Sequence, residues 1–283
     1  MTATALPTKQ ISWRKLGGYF IRYLIVAVAL IFFLFPIFWV ATIAFKSPEE
    51  YFRNPPVWLP SRFEVSHFKQ LFVNRSIVSL TNSLIVATAS TVLALVVGCP
   101  AAYSLARFNT GGHNFAFWIL SQRFLPPVAV VFPVFLLFRL IQWVDTYHGL
   151  IILYTTFNLP FVVWMMRGYF QDVPAEIEES AMVDGASRLR SFWSITLPLS
   201  LPGLIATSVF TFIFNWNEFL FALVLTRTQV ITMPVALSGY FGAQSSFWGE
   251  AAALTLIATI PVVVLTLLVQ RHLVAGLTLG AVK

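Results

Sequence analysis

About 20 consecutive apolar residues suffice to carry an α-helix across a bilayer. This chain holds six such stretches, at approximately 21–45, 79–105, 115–142, 149–168, 201–226 and 249–270. In hydrocarbon every backbone polar group has to be satisfied within the protein, so runs of this length read as spanning helices. The expected fold is an all-α polytopic membrane protein with six transmembrane helices. The composition agrees: 58% of the 283 residues are hydrophobic and 10% are charged, against roughly half and a quarter in soluble domains. The net charge of +7 comes from basic residues scattered among apolar runs, a pattern suited to loops that face anionic lipid rather than to a nucleic-acid surface.

Several function classes drop out early. The single cysteine, Cys99, lies inside an apolar run, so no intrachain disulfide is available, and His67, His113, His148 and His272 are dispersed without ligand-like spacing. The apolar run from Leu24 to Ala44 is too long for the hydrophobic core of a cleavable signal, and no small-residue cleavage site follows it closely. There is no Gly-x-x-x-x-Gly-Lys-Ser/Thr loop to cradle nucleotide phosphates and no Ser–His or His/Cys grouping for catalysis. The chain is expected to be no enzyme and to need no cofactor.

An even number of spans puts both termini on one side. Lys9, Arg14, Lys15 and Arg22 precede or open the first span without an acid, which favours a cytoplasmic N-terminus. Arg107, Arg167, Arg188, Arg190, Arg271 and Lys283 then also fall inside. Lys46, Arg53, Arg62, Lys69 and Arg75, in the first outer loop, pull against that assignment. The chain divides into a cytoplasmic segment 1–20, a first span 21–45, an extracytoplasmic loop 46–78, a five-helix core 79–270, and a cytoplasmic tail 271–283. The outer loop carries an amphipathic segment around Phe68 to Phe72.

Within the core, 171–200 is the polar stretch that stands out. It reads as two short helices, with Asp172 a candidate cap, Pro174 in the first turn, and Glu176, Glu178 and Glu179 at the positive end. Gly185 is a natural stop, Ser187 a new cap, and Pro198 an end to the second helix. Ile177, Ala181 and Met182 share one helical face, with Glu178 and Glu179 directed elsewhere. A short helix with a modest apolar face suits docking into a groove on a partner.

The same stretch contains Glu179-Ser180-Ala181-Met182-Val183-Asp184-Gly185, then nine residues, then Ile195-Thr196-Leu197-Pro198. This resembles the signature cytoplasmic loop of permeases from binding-protein-dependent ABC importers: Glu-Ala-Ala, three residues, Gly, nine residues, Ile-x-Leu-Pro. Ser180, in place of the middle alanine, is the one departure. The likeness runs from about Asn82 to the end. Phe124-Leu125-Pro126-Pro127, Asn158-Leu159-Pro160-Phe161, Trp216-Asn217-Glu218-Phe219-Leu220-Phe221-Ala222 and the tail Ala275 to Lys283 look like the maltose-permease-like carbohydrate branch. The resemblance implies a type I importer permease core for a carbohydrate or polyol in a bacterial inner membrane. It further implies a homologous second permease, a cytoplasmic ABC ATPase dimer and an extracytoplasmic solute-binding protein as partners. Glu179, Ala181, Asp184, Gly185, Ile195, Leu197 and Pro198 would then belong to the loop that couples to the ATPase.

Ionisable groups inside spans cost about 2.5–3.5 kcal/mol each at mid-helix. Arg123, some way into the third span, either lines a hydrated pathway or pairs structurally, and Pro126 and Pro127 beyond it loosen the helix. Arg139 lies near the end of the same span and reads as a snorkelling charge. Asn82, Thr155 and Asn158 read as interhelical hydrogen-bonding groups. In the fifth span Asn215 and Glu218 share a helical face and Asn217 points the other way; the Asn215/Glu218 face is the candidate cavity lining. An ion-coupled secondary transporter is the alternative, with Glu218 and Glu250 as its candidate ion sites.

Overall fold

A computed structural model of the protein describes residues 13–112, 114–242 and 247–278. Residues 1–12 of the N-terminal segment, residues 279–283 of the tail and His113 lie outside the described residues. A single 33-residue helix, α1 (Trp13–Phe45), opens the structure, followed by a 3-10 turn at Pro48–Glu50 and the short amphipathic α2 (Ser66–Val73). The next span is α3 (Ser76–Phe108). Short α4 (Phe115–Ser121) and a 3-10 turn at Gln122–Phe124 lead into α5 (Pro127–Leu140), and α6 (Tyr147–Asp172) returns across the bundle. The polar stretch holds α7 (Ala175–Val183), α8 (Arg188–Ser191), a π-helical turn (Phe192–Thr196) and α9 (Leu197–Leu199). Then come α10 (Leu201–Trp216), α11 (Leu220–Leu225), α12 (Met233–Ser238) and the closing α13 (Trp248–Thr278).

Four helices (α1 from Gly18, α3, α6 and α13 to Gln270) are each long and apolar enough to cross a membrane, and two bent pairs bring the number to six. The third expected span is not straight: the segments 115–124 and 127–140 meet at 88°. Leu125-Pro126-Pro127 explains it, since proline removes a backbone donor and drives the preceding residue to extended geometry. Leu125 and Pro126 are both extended there, with ψ of 121° and 123°. The fifth span is entered through a 77° bend between 188–199 and 201–216, and is broken again after Trp216. Pro198 therefore does not end the second loop helix. It sits in α9, and the chain turns one residue after that helix, at Ser200.

Helices α3 and α6 form the most extensive pair, with α10 against both and α1 packed on α13. Gly98 lets α3 close on α6, where Val162 fills the space a side chain would take. Three buried clusters result. One joins the ends of α1 and α2 to α10, α12 and α13, one lies between α3, α4, α6 and the π-helical turn, and one lies between α5, α6 and α11. From Tyr19 to Phe38 the large side chains of α1 are exposed, as suits a helix whose solvent is lipid.

Candidate functional site

α7 is held at its two ends by different means. Pro174 occupies its N-cap without a side-chain bond, and Asp172, the expected cap, is the last residue of α6. The C-terminus is closed by a Schellman pair: the Ala186 N–H donates to the Ala181 carbonyl (2.9 Å) and the Gly185 N–H to that of Met182 (3.1 Å). Gly185 adopts φ +89°, a region open to glycine and strained for other residues. Ser187 caps α8, its hydroxyl accepting from the Arg190 N–H.

The expected faces of α7 need correction. Ile177 is exposed, whereas Glu178 is 4% exposed and points inward, with Ala181 and Met182 half-buried beside it. One carboxylate oxygen of Glu178 accepts from the Tyr103 hydroxyl (2.7 Å) and the other from Arg107 Nε (2.8 Å) and Nη2. Arg107 also donates to the Val173 carbonyl at the end of α6 (2.8 Å). Burial works against the Glu178 charge, but the Arg107 guanidinium and the Tyr103 hydroxyl outweigh it and hold the carboxyl below its usual range. Sequence reasoning placed Glu178 among the N-terminal acids of a helix. The clue available was its i, i+3, i+4 register with Ala181 and Met182.

The motif residues fall in two groups. Ala181, Asp184 and Ile195 line a cleft of about 250 Å³ between α7 and α8, together with Arg190 and Ser194. Glu179, Val183 and Gly185 are exposed and do not line it. Leu197 packs on the cluster between α3 and α6, and Pro198 is exposed.

A second polar system crosses the bundle. Arg123, in the 3-10 turn at the 88° bend, donates to the Phe157 carbonyl (3.2 Å) and to Asn158 Oδ1 (3.0 Å). Its guanidinium lies 4.6 Å from the Phe214 ring centre and 5.4 Å from that of Phe161. Asn158 Nδ2 donates to Asn215 Oδ1 (2.7 Å), and Asn215 Nδ2 to Thr91 Oγ1 (3.1 Å). Asn215 is thus buried in an interhelical network. Glu218 does not share its face, because α10 ends at Trp216; the Glu218 carboxylate instead accepts from the N–H groups of Phe221 and Ala222 at the start of α11. Asn217 is exposed and bonds back to the Ile213 carbonyl. Thr155 bonds to the Ile151 and Ser90 carbonyls, and Arg139 is exposed near the end of α5.

At the opposite end of the bundle from α7, Asp145 accepts from the backbone N–H groups of Arg227, Thr228, Gln229 and Val230 at 3.0–3.1 Å. That loop borders a cavity of about 850 Å³, whose wall includes Gln70, Arg75, Asn82, Gln229, Tyr240 and Glu250. Among the described residues no three His, Cys, Asp or Glu side chains are grouped to hold a metal ion.

Comparison with known proteins places this geometry. The chain is 36% identical over 259 residues to a probable ABC transporter permease protein of Sinorhizobium fredii, covering 89% of this chain and 91% of that one. It is 36% identical over 256 residues to the trehalose transport system permease protein of Mycobacterium tuberculosis, covering 88% and 92%. A crystal structure of a bacterial ABC transporter involved in import of the acidic polysaccharide alginate shares the fold. The match has a TM-score of 0.75 at 22% identity, over 94% of this chain and 100% of that one. The family model for the inner membrane component of binding-protein-dependent transport systems matches residues 16–278, and the chain belongs to that family.

Proposed function

We propose that the chain is the permease subunit of an ATP-driven importer for a carbohydrate or polyol, and that it forms half of the translocation pathway. Its partners are a homologous second permease, two copies of a cytoplasmic ATPase that carries out the hydrolysis, and an extracytoplasmic solute-binding protein. The substrate class is supported by the relative named for trehalose transport and by the sequence stretches that look like the carbohydrate branch. The ion-coupled alternative has no support in the family or in these relatives.

The observation that carries the coupling role is α7 itself. It is a nine-residue helix closed by a left-handed glycine, with Ile177, Glu179 and Val183 exposed. Isolated helices this short are marginal in water, so a structure that builds one and leaves apolar side chains on its outer face offers it to a partner. Glu179, Asp184 and the Gly185 turn form the contact rim, and Ala181, Ile195, Leu197 and Pro198 shape and support it. α7, with Arg107, Arg188 and Arg190 near it, lies on the cytoplasmic side with both termini. Alternating access then follows: closure of the ATPase dimer moves α7, and the spans part around the polar system of Arg123, Asn158 and Asn215, with Glu218 just beyond the end of α10, where substrate hydroxyls find donors and acceptors.

Reconstitution with the cognate ATPase and binding protein in liposomes tests this reading. Uptake of a radiolabelled disaccharide or polyol should require ATP and the binding protein. Gly185→Val, which places a β-branched residue at φ +89°, should abolish uptake and substrate-stimulated hydrolysis with the complex intact. Uptake driven by an ion gradient without ATP would sink the proposal.

A further inference from the structure

Among the described residues α7 makes one ion pair, and it is buried. Arg107 lies in the last turn of α3, where a cation is favoured by the helix dipole. Its guanidinium ties α3 to two other elements at once, through the Val173 carbonyl at the end of α6 and Glu178 of α7. The buried hydroxyl of Thr196, in the π-helical turn, lies beside the same carboxylate.

α3 is a 33-residue helix, roughly 50 Å long at 1.5 Å per residue. Polar side chains at its far end bind the segment 229–240. Asn82 Nδ2 donates to the Ile231 carbonyl (2.9 Å), the Met233 N–H donates to Ser83 Oγ (2.7 Å), and the Ser76 and Tyr240 hydroxyls pair at 2.7 Å. The same segment walls the 850 Å³ cavity. One continuous helix, with Pro100 inside it, thus has polar attachments at both ends, to α7 at one and to the cavity-lining segment at the other.

We propose that Glu178 is a positioning residue for transport: through it α7 and α3 move as one body, and α3 carries the displacement to the 229–240 segment on the extracytoplasmic side. The proposal rests on α7 being the ATPase-docking helix. The chemistry suits a tether better than a packing contact, because a buried charge pair has one good arrangement and leaves an uncompensated charge in any other. Losing Glu178 should release α7 without dismantling the bundle, since Arg107 keeps its hold on α6 and the α3–α6 packing does not involve α7.

The test uses the complete transporter in nanodiscs, in a Cys99→Ala background, with spin labels at Glu176→Cys in the first turn of α7, away from the docking rim, and Thr110→Cys just beyond α3. Both positions are exposed. In the otherwise native protein the distance between the labels should be the same in the nucleotide-free and ATP-bound states. In Glu178→Gln it should shift with nucleotide, and sugar uptake per ATP hydrolysed should fall about tenfold while the ATPase still co-purifies. Glu178→Asp, which keeps the charge, should restore most of the uptake. A native distance that changes with nucleotide would overturn the proposal whether or not Glu178→Gln assembles, as would native uptake in Glu178→Gln. Failure of the ATPase to bind the native permease would be seen in the purification itself and would overturn the docking assignment, and this one with it.

Discussion

Asp145 shows how much one side chain can organise when backbone donors converge on it. It sits at φ +60° between α5 and α6 and gathers four successive N–H groups from a loop more than eighty residues away. Burial raises its pKa, but the four donors, from Thr228, Arg227, Gln229 and Val230, outweigh that and hold it below the usual value. A group depressed in the folded state contributes stability above its unfolded pKa of about 3.9, and loses it as pH falls through the lower folded value. The clamp is therefore intact throughout the mildly acidic to neutral range and opens only in strong acid. Asp145→Asn keeps one acceptor oxygen but replaces the other with an NH2 that presents donors to donors. The amides of 227–230 should then exchange with solvent about tenfold faster at neutral pH, while amides in the middle of α3 stay unchanged. Hydrogen exchange read by mass spectrometry checks both, and equal protection in variant and native protein would remove Asp145 from the account of this loop.

The spans were legible in the sequence because hydropathy over 20 residues reports length and solvent, and these helices are long. Their direction was not. The run 115–142 stays apolar through an 88° bend, since a bilayer-facing segment needs the same side chains on either side of a break. Pro126 and Pro127 marked the place without giving the angle. In the polar loop, Gly185 and Ser187 were readable as stop and cap because each acts on its own neighbours. Glu178 was misjudged for the opposite reason, as its partners Tyr103 and Arg107 lie more than seventy residues away. Gly98 is a similar case, an ordinary small residue in sequence whose meaning appears only where α3 meets α6. An added Cβ there would collide with Val162, which is fully buried and too short to swing aside. Gly98→Ala should cost about 1–3 kcal/mol by overpacking and lower the melting temperature of the purified permease. Gly168→Ala, on an exposed face of α6 with nothing within 4 Å, should be neutral or slightly stabilising, because alanine favours the helix by about 1 kcal/mol over glycine. Equal melting of the two variants would mean that the helices separate freely at Gly98.

For a transporter to expose its pathway alternately to either side, its spans must part somewhere, and the cost of parting depends on what lines the seam. Separating the clusters around Val162 or Leu225 would wet apolar side chains at about 25 cal/mol per Å². Separating a hydrogen-bonded amide network exchanges its bonds for bonds to water at little net cost. The chain from Arg123 through Asn158 and Asn215 to Thr91 joins α3, α6 and α10 to the bend between α4 and α5, so parting these helices there costs less than parting them through either apolar cluster. Asn215 is 3% exposed in this arrangement, whereas Asn217 is exposed and bonded only within its own helix. Single cysteines at 215, 217 and 218 in a Cys99→Ala background, treated with a small water-soluble thiol reagent, should therefore behave differently. Position 217 should react at the same rate with and without ATP. Position 215 should be protected in one nucleotide state and react in the other, and 218, half-buried where its native carboxylate caps α11, should follow 215 with a smaller change. Because the substitution itself removes an amide from the network, the informative comparison is between nucleotide states of the same variant. A rate at 215 that ignores nucleotide would place the seam elsewhere and leave the network as a permanent tie between the helices.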